Sequence, residues 1–142
     1  FNGGIAFSDD CRTSNYPKSM LKNAIAEGKR IRKYYFGNFY PLTPVTTNAG
    51  DWLVLQYHLP KKEAGMVLAF RRHEAGATSM KLALREIIPG ATYEVTLASD
   101  YTRPPPTRLE DKELRQLTVE ISDCPGSLLI EYRIKQPPAT TK

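Results

Sequence analysis

Leu128-Leu129-Ile130-Glu131-Tyr132-Arg133-Ile134-Lys135 is the stretch whose reading decides the fold. Leu128, Ile130, Tyr132 and Ile134 alternate with Leu129, Glu131, Arg133 and Lys135, which gives a period of two. Side chains along a strand point to opposite faces in turn, so this pattern predicts a β-strand with one apolar face. The turn formers Pro125-Gly126 stand just before it. Working outward, the same alternation returns at Leu117, Val119 and Ile121, at Tyr93, Val95 and Leu97, and at Met80, Leu82 and Leu84. It returns again at Met66, Leu68 and Phe70, and at Leu53, Leu55, Tyr57 and Leu59. Turn chemistry separates the runs at Pro60, Gly76, Pro89-Gly90 and Pro104-Pro105-Pro106. About six antiparallel strands over residues 51–136, each with one apolar face, predict a two-sheet β-sandwich. Those faces are expected to close a core of their own, so the sandwich should fold without the first 36 or so residues. Residues 103–113 read as a long loop, with a helical turn over Leu109–Leu114, and residues 137–142 read as a tail.

Upstream the period changes. Met20, Leu21, Ala24, Ile25, Ile31 and Tyr35 recur at three-to-four-residue spacing, which predicts a helix with one apolar stripe. Ser14 or Asn15 is its expected cap, Pro17 falls in its first turn, and Gly37 stops it. Before the helix, Gly4-Ile5-Ala6-Phe7 reads as a short strand ending at Ser8, Asp9 and Asp10. Residues 37–50 read as a connector, yet Phe36, Phe39 and Tyr40 make it unusually aromatic, which predicts packing against something. The chain opens on Phe1 and is read as a piece of a longer polypeptide.

The composition bounds function. With 142 residues, 41% of them apolar and 25% charged, the chain is one domain's worth of ordinary globular sequence. No apolar run approaches the roughly 20 residues of a membrane span, so no membrane partner is expected. The net charge is +5, but much of the excess lies in Lys29, Arg30, Arg32 and Lys33 on the predicted helix. Elsewhere basic and acidic residues alternate along strands, so a solvated or interface helix face is expected and no nucleic acid. Cys11 and Cys124 lack the spacing of a metal or redox motif and are read as free thiols.

Catalytic chemistry is sparse. Glycoside hydrolysis needs two carboxylates about 5 to 10 Å apart across the sugar. Asp9 and Asp10 are adjacent on a strand end and point apart, so they make no facing pair, although either could touch a substrate. His58 shares a strand face with Trp52, Val54 and Gln56, and His73 ends a strand beside Arg71-Arg72. Neither has the partners of a metal or nucleophile site, and no cofactor is expected. Trp52 lies opposite the Leu53, Leu55 and Tyr57 face, where an aromatic serves either as a sugar platform or as a contact for a neighbouring domain.

Several segments together resemble one family. Arg32-Lys33-Tyr34-Tyr35-Phe36-Gly37-Asn38-Phe39-Tyr40-Pro41-Leu42-Thr43 is similar to the segment that joins the last barrel helix to the C-terminal domain in glycoside hydrolase family 36 α-galactosidases. Trp52 with Gln56, the strand Gly65–Arg72, and the pair Leu82–Arg85 and Tyr93–Val95 resemble that domain. Ala6–Arg12 resembles the strand and turn before the final barrel helix. Asn38 stands where the family usually carries Asp, and the loop 103–106 has no counterpart.

The resemblance implies that residues 1–36 are the remnant of the last strand and helix of a (β/α)8 barrel, followed by the connector and the sandwich. The chain would then be a non-catalytic C-terminal domain that braces the barrel of an enzyme hydrolysing terminal α-galactosides or related α-glycosides. Leu21, Ile25, Ile31, Tyr35, Phe36, Phe39 and Tyr40 would face the missing barrel, and Trp52, Asp9 and Asp10 are the candidate substrate contacts. No catalytic residue is carried over. Without the barrel, a homodimer through the helical arm is expected to cover the apolar stripe. The rival readings are a stand-alone carbohydrate-binding or adhesion sandwich and an immunoglobulin-like interaction module.

Overall fold

The computed structural model of the chain describes residues 17–136. Among them, the chain runs through α1 (Lys18–Ile31), β1 (Asn38–Pro41), β2 (Leu53–Leu59), β3 (Ala64–Arg71), β4 (Ser79–Lys81) and β5 (Thr92–Ala98). It continues through β6 (Thr107–Glu110), α2 (Asp111–Arg115), β7 (Thr118–Glu120) and β8 (Gly126–Gln136). Six strands form one sheet in the order β1-β2-β3-β8-β5-β6, and β4 pairs with β7 in a second. All pairings are antiparallel. The mainly β, antiparallel sandwich expected from the alternation is therefore the observed architecture. The deciding stretch is its spine, because β8 is the longest strand and pairs with both β3 and β5.

The centre of the large sheet, over β2, β3 and the first half of β8, is buried on both faces, which corrects the expectation of one apolar face for those strands. Trp52, Val54, Val67, Ala69, Tyr93, Val95, Ile130 and Tyr132 pack toward the small sheet, against Leu82, Leu84, Leu114 and Val119. On the opposite face Leu55, Tyr57, Met66 and Leu129 lie under Ile31 and Tyr34 of the N-terminal arm. The cause is in the sequence: β2 and β3 are apolar at both parities, and the register pairs Leu55 with Leu68 and Tyr57 with Met66. One parity feeds each layer. The sandwich and the arm therefore share the large sheet, and the arm is part of the fold.

The helix begins at Lys18 with Pro17 in the capping position and no side-chain cap; Ser14 and Asn15 lie outside the described residues. Lys29 and Arg30 occupy its last turn, where cations meet the negative end of the helix dipole. It passes at Arg32 into a 3-10 turn that runs to Phe36, with Gly37 as the C-terminal boundary. Gly37 is required by close approach, since a Cβ there would stand 2.1 Å from the carbonyl oxygen of His58.

Two segments read as irregular are strands. Asn38–Pro41, inside the connector read at 37–50, pairs with β2 as one edge of the sheet. Thr107–Glu110, inside the Pro-rich loop, pairs with β5 as the other. Proline is tolerated at an edge because the missing N–H faces away from the ladder. The helical turn expected near Leu109–Leu114 is α2, which Glu110 and Glu113 start with a reciprocal capping box.

Arg71 and Arg72, at the end of β3, fasten loops. Buried Arg71 donates to the carbonyls of Ala75 (3.0 and 3.1 Å), Ile121 (3.1 Å) and Ser122 (2.7 Å). Arg72 donates to the carbonyls of Thr46 (2.9 Å) and Asn48 (2.7 Å). The guanidinium fork reaches several acceptors at once, which explains an Arg-Arg pair at a strand end without any catalytic role.

Candidate functional site

A buried polar network crosses the large sheet on its sandwich face. Gln56 donates through Nε2 to the Arg85 carbonyl (2.8 Å) and to the Tyr132 hydroxyl (2.7 Å), and it accepts from the Arg85 N–H (2.8 Å). The two-point pairing with Arg85 fixes the amide orientation. The Tyr132 hydroxyl accepts from Gln56, so its own proton goes to His58 Nδ1, 3.0 Å away. His58 is then the Nε2–H tautomer, and that nitrogen is buried without a hydrogen-bond partner, 3.6 Å from Glu63 Oε2. Burial lowers the pKa of His58, against the opposing fields of Glu63 and Glu86. Burial likewise pushes the Tyr132 hydroxyl well above its ordinary value. Neutral imidazole and neutral phenol make this a lock between β2, β8 and the Arg85 loop.

Gly65 makes the network possible. His58, Gly65 and Tyr132 lie in one cross-strand row, so the two rings meet over a residue without a side chain. They stack at 6.0 Å between centroids and 18° between planes. A Cβ on Gly65 would fall 2.3 Å from the Tyr132 hydroxyl.

The arm face holds a second, charged cluster. Buried Glu131 pairs with Arg30 of α1 and lies 3.9 Å from Arg103. Arg30, read from the sequence on a solvated or interface helix face, thus ties the arm to the sheet. Glu94 accepts from Arg133 at 2.6 and 2.9 Å and meets Lys135 at 3.1 Å. Hydrogen bonds from Arg133, then Lys135, hold the Glu94 carboxyl below the usual range. Glu94 and Glu131 line a shared cavity of about 30 Å³, room for about one water. A glycosidase acid needs a raised pKa. Glu94 moves the other way and Glu131 is taken up by arginines, so this pair is suited to bracing rather than proton transfer.

The third feature is exposed. Phe36 is 80% exposed and Phe39 51%, and Met20 at the start of the arm is 54% exposed. A cleft of about 370 Å³ opens beside Phe36, between Lys33 and the Leu59–Lys62 turn.

The structure divides the residues expected to face a barrel. Ile31 is buried in the chain's own fold, and Tyr35 packs edge-on against Tyr57 at 4.9 Å. Tyr40 is half-buried and donates to Glu86 at 2.5 Å. Leu21 and Ile25 are half-buried, and Phe36 and Phe39 remain open. Trp52 is a correction: it is 4% exposed within the sandwich core, with its indole N–H on the Ala77 carbonyl (3.1 Å). The parity that carries Trp52 faces the second sheet, so its ring offers no sugar platform. Asp9, Asp10 and Cys11 lie outside the described residues. The Cys124 thiol is exposed and donates to the Arg72 carbonyl at 3.2 Å. No described helix is long and apolar enough to cross a membrane. Sequence reading missed Tyr132, Arg30, Glu131, Lys61 and Lys62 as members of these clusters. Only Gln56 and His58, two apart on one strand face, carried a signal.

No protein-family model and no curated protein matches the chain. Among solved structures it is similar to the GH36 alpha-galactosidase AgaA of Geobacillus stearothermophilus, a doubly substituted form in complex with raffinose. The TM-score is 0.66 at 20% identity, covering 89% of this chain and 17% of that one. The likeness establishes a shared fold, and the chain spans about one-sixth of the length of that enzyme.

Proposed function

We propose that this chain is the non-catalytic C-terminal domain of an α-galactosidase-like glycoside hydrolase whose catalytic barrel lies elsewhere in the parent polypeptide. One observation carries the reading: nearly the whole chain superposes on a minor part of a GH36 alpha-galactosidase. The fold alone does not specify chemistry; the exposed Phe36 and Phe39 are what supports a surface for a neighbouring domain. Phe36, Phe39, Met20, Leu21 and Ile25 would pack against the barrel, while Ile31 and Tyr35 hold the arm to the sandwich. The parent would hydrolyse terminal α-galactosides or related α-glycosides, and Asp9 and Asp10 remain its candidate substrate contacts on this side.

The test compares the 142-residue chain with the same chain joined to the polypeptide encoded upstream of it. The isolated chain should hydrolyse no aryl α-galactoside above the buffer rate, and the joined protein should. Turnover by the isolated chain that is lost in Asp9→Asn or Asp10→Asn would overturn the proposal. In isolation the open part of the arm would be covered by a second copy in an isologous dimer. Sedimentation should then show a dimer that Leu21→Lys with Ile25→Lys dissociates, and a monomer at every concentration would remove this part of the reading.

A further inference from the structure

The cleft beside Phe36 has a chemistry of its own. Its floor is apolar, made by the exposed Phe36 ring, Leu59 and Pro60, and three lysines, Lys33, Lys61 and Lys62, stand around it. None of the three pairs with a carboxylate among the described residues, and all three are exposed. Lys33 lies against the Tyr34 ring, 4.8 Å from its centroid. Its pKa is lowered, first by burial and then by the positive fields of Lys62, Arg30, Arg103 and Arg133. Cations gathered around an apolar floor without counter-charges make a surface complementary to anions that carry an aliphatic or aromatic group.

We propose that this cleft docks an acidic protein segment, with an apolar side chain on Phe36, Leu59 and Pro60 and flanking carboxylates on Lys33, Lys61 and Lys62. The inference rests on the interdomain reading for the partner's being protein, and it adds the chemistry by which the partner is recognised. Burial of the Phe36 ring supplies affinity, and the lysines supply selectivity and a dependence on salt.

The experiment uses the full 142-residue chain, labelled with 15N, and three synthetic peptides: one of alternating Glu and Leu, one of alternating Lys and Leu, and one of Glu alone. The Glu-Leu peptide should shift the amide signals of Lys33, Phe36 and Leu59–Lys62 and should bind several-fold more weakly when NaCl rises from about 0.05 to about 0.5 M. Phe36→Ser should weaken it about fivefold to tenfold. Lys61→Glu with Lys62→Glu should do the same while admitting the Lys-Leu peptide. Both substitutions are at exposed positions, and an otherwise unchanged spectrum verifies the fold. Equal binding of all three peptides, shifts spread over other surfaces, or no shift at all would overturn the proposal. So would shifts at the cleft produced by anionic phosphatidylserine vesicles and by none of the peptides. Any of these results leaves the interdomain reading to its own test, the activity of the joined protein.

Discussion

Removal of the N-terminal arm tests the central structural claim, that the large sheet depends on cover at both faces. A chain beginning at Gly37 loses Ile31 and Tyr34, and with them the lid on Leu55, Tyr57, Met66 and Leu129. Fully burying a side chain of this size is worth about 1.5 to 3 kcal/mol. If each of the four sheet residues loses half of its cover, the loss is about 3 to 6 kcal/mol, set against a total stability of about 5 to 15 kcal/mol for a domain. The Arg30 contact to Glu131 goes too, leaving a buried carboxylate with only the more distant Arg103. Urea unfolding followed by circular dichroism should therefore show a much lower midpoint, or no folded baseline, with increased dye binding to exposed apolar surface. Ile31→Asp in the full chain provides the same test without shortening it, and should cost several kcal/mol. A truncated chain with the midpoint and slope of the full one would refute the two-sided burial and restore a sandwich closed by its own faces.

Three further outcomes follow from the polar network and its surroundings. Tyr132→Phe removes the donor on which His58 Nδ1 relies, so urea unfolding should show a loss of about 1 to 3 kcal/mol, and an unchanged midpoint would mean that the bridge contributes nothing. Gly65→Ala places a methyl group 2.3 Å from the Tyr132 hydroxyl and 2.5 Å from the Tyr57 carbonyl, and calorimetry should show about 1 to 3 kcal/mol lost where an ordinary Gly-to-Ala change in a strand gains. His58 has a folded pKa below its unfolded value of about 6.5, so its contribution is complete above that pH and is lost as pH falls below it. The stability of the native chain should decline as pH falls below about 6.5, and His58→Gln should flatten that decline whatever its effect at pH 7; equal slopes would be the contrary result.

The strands of the sandwich were legible because alternation needs no tertiary information, and β2, β3, β5, β7 and β8 fall where Leu55, Met66, Val95, Val119 and Ile130 predict. What was not legible has physical causes. The edges β1 and β6 are hidden beside Pro41 and Pro104–Pro106, and proline argues against a strand unless the strand is known to be an edge. The role of Trp52 was misread because periodicity gives two faces without saying which is inside. Here both are, and the face with Leu55 and Tyr57 turned out to meet the helix. The meeting of His58 and Tyr132 requires a register across β3 in which Gly65 separates them, and no spacing along the chain encodes that row. Arg30 looked like its neighbours Lys29 and Arg32, and only the position of Glu131 distinguishes it.

The arm itself argues for a divided role. Along one continuous segment, exposure passes from Met20, 54% exposed, through the half-buried Leu21 and Ile25, to Ile31 and Tyr34 inside the fold, and back out to Phe36 at 80%. A helix serving only the domain's own stability would keep one stripe covered throughout, because each exposed aliphatic forfeits burial energy. A helix serving only a partner would have no reason to bury Tyr34 or to set Arg30 against Glu131. The central contacts fix the arm's position on the sheet, and that position is what presents Met20 at one end and Phe36 at the other. Substitutions at Ile31 or Tyr34 should therefore lower the urea midpoint, and polar substitutions at the exposed Met20 or Phe36 should leave it unchanged.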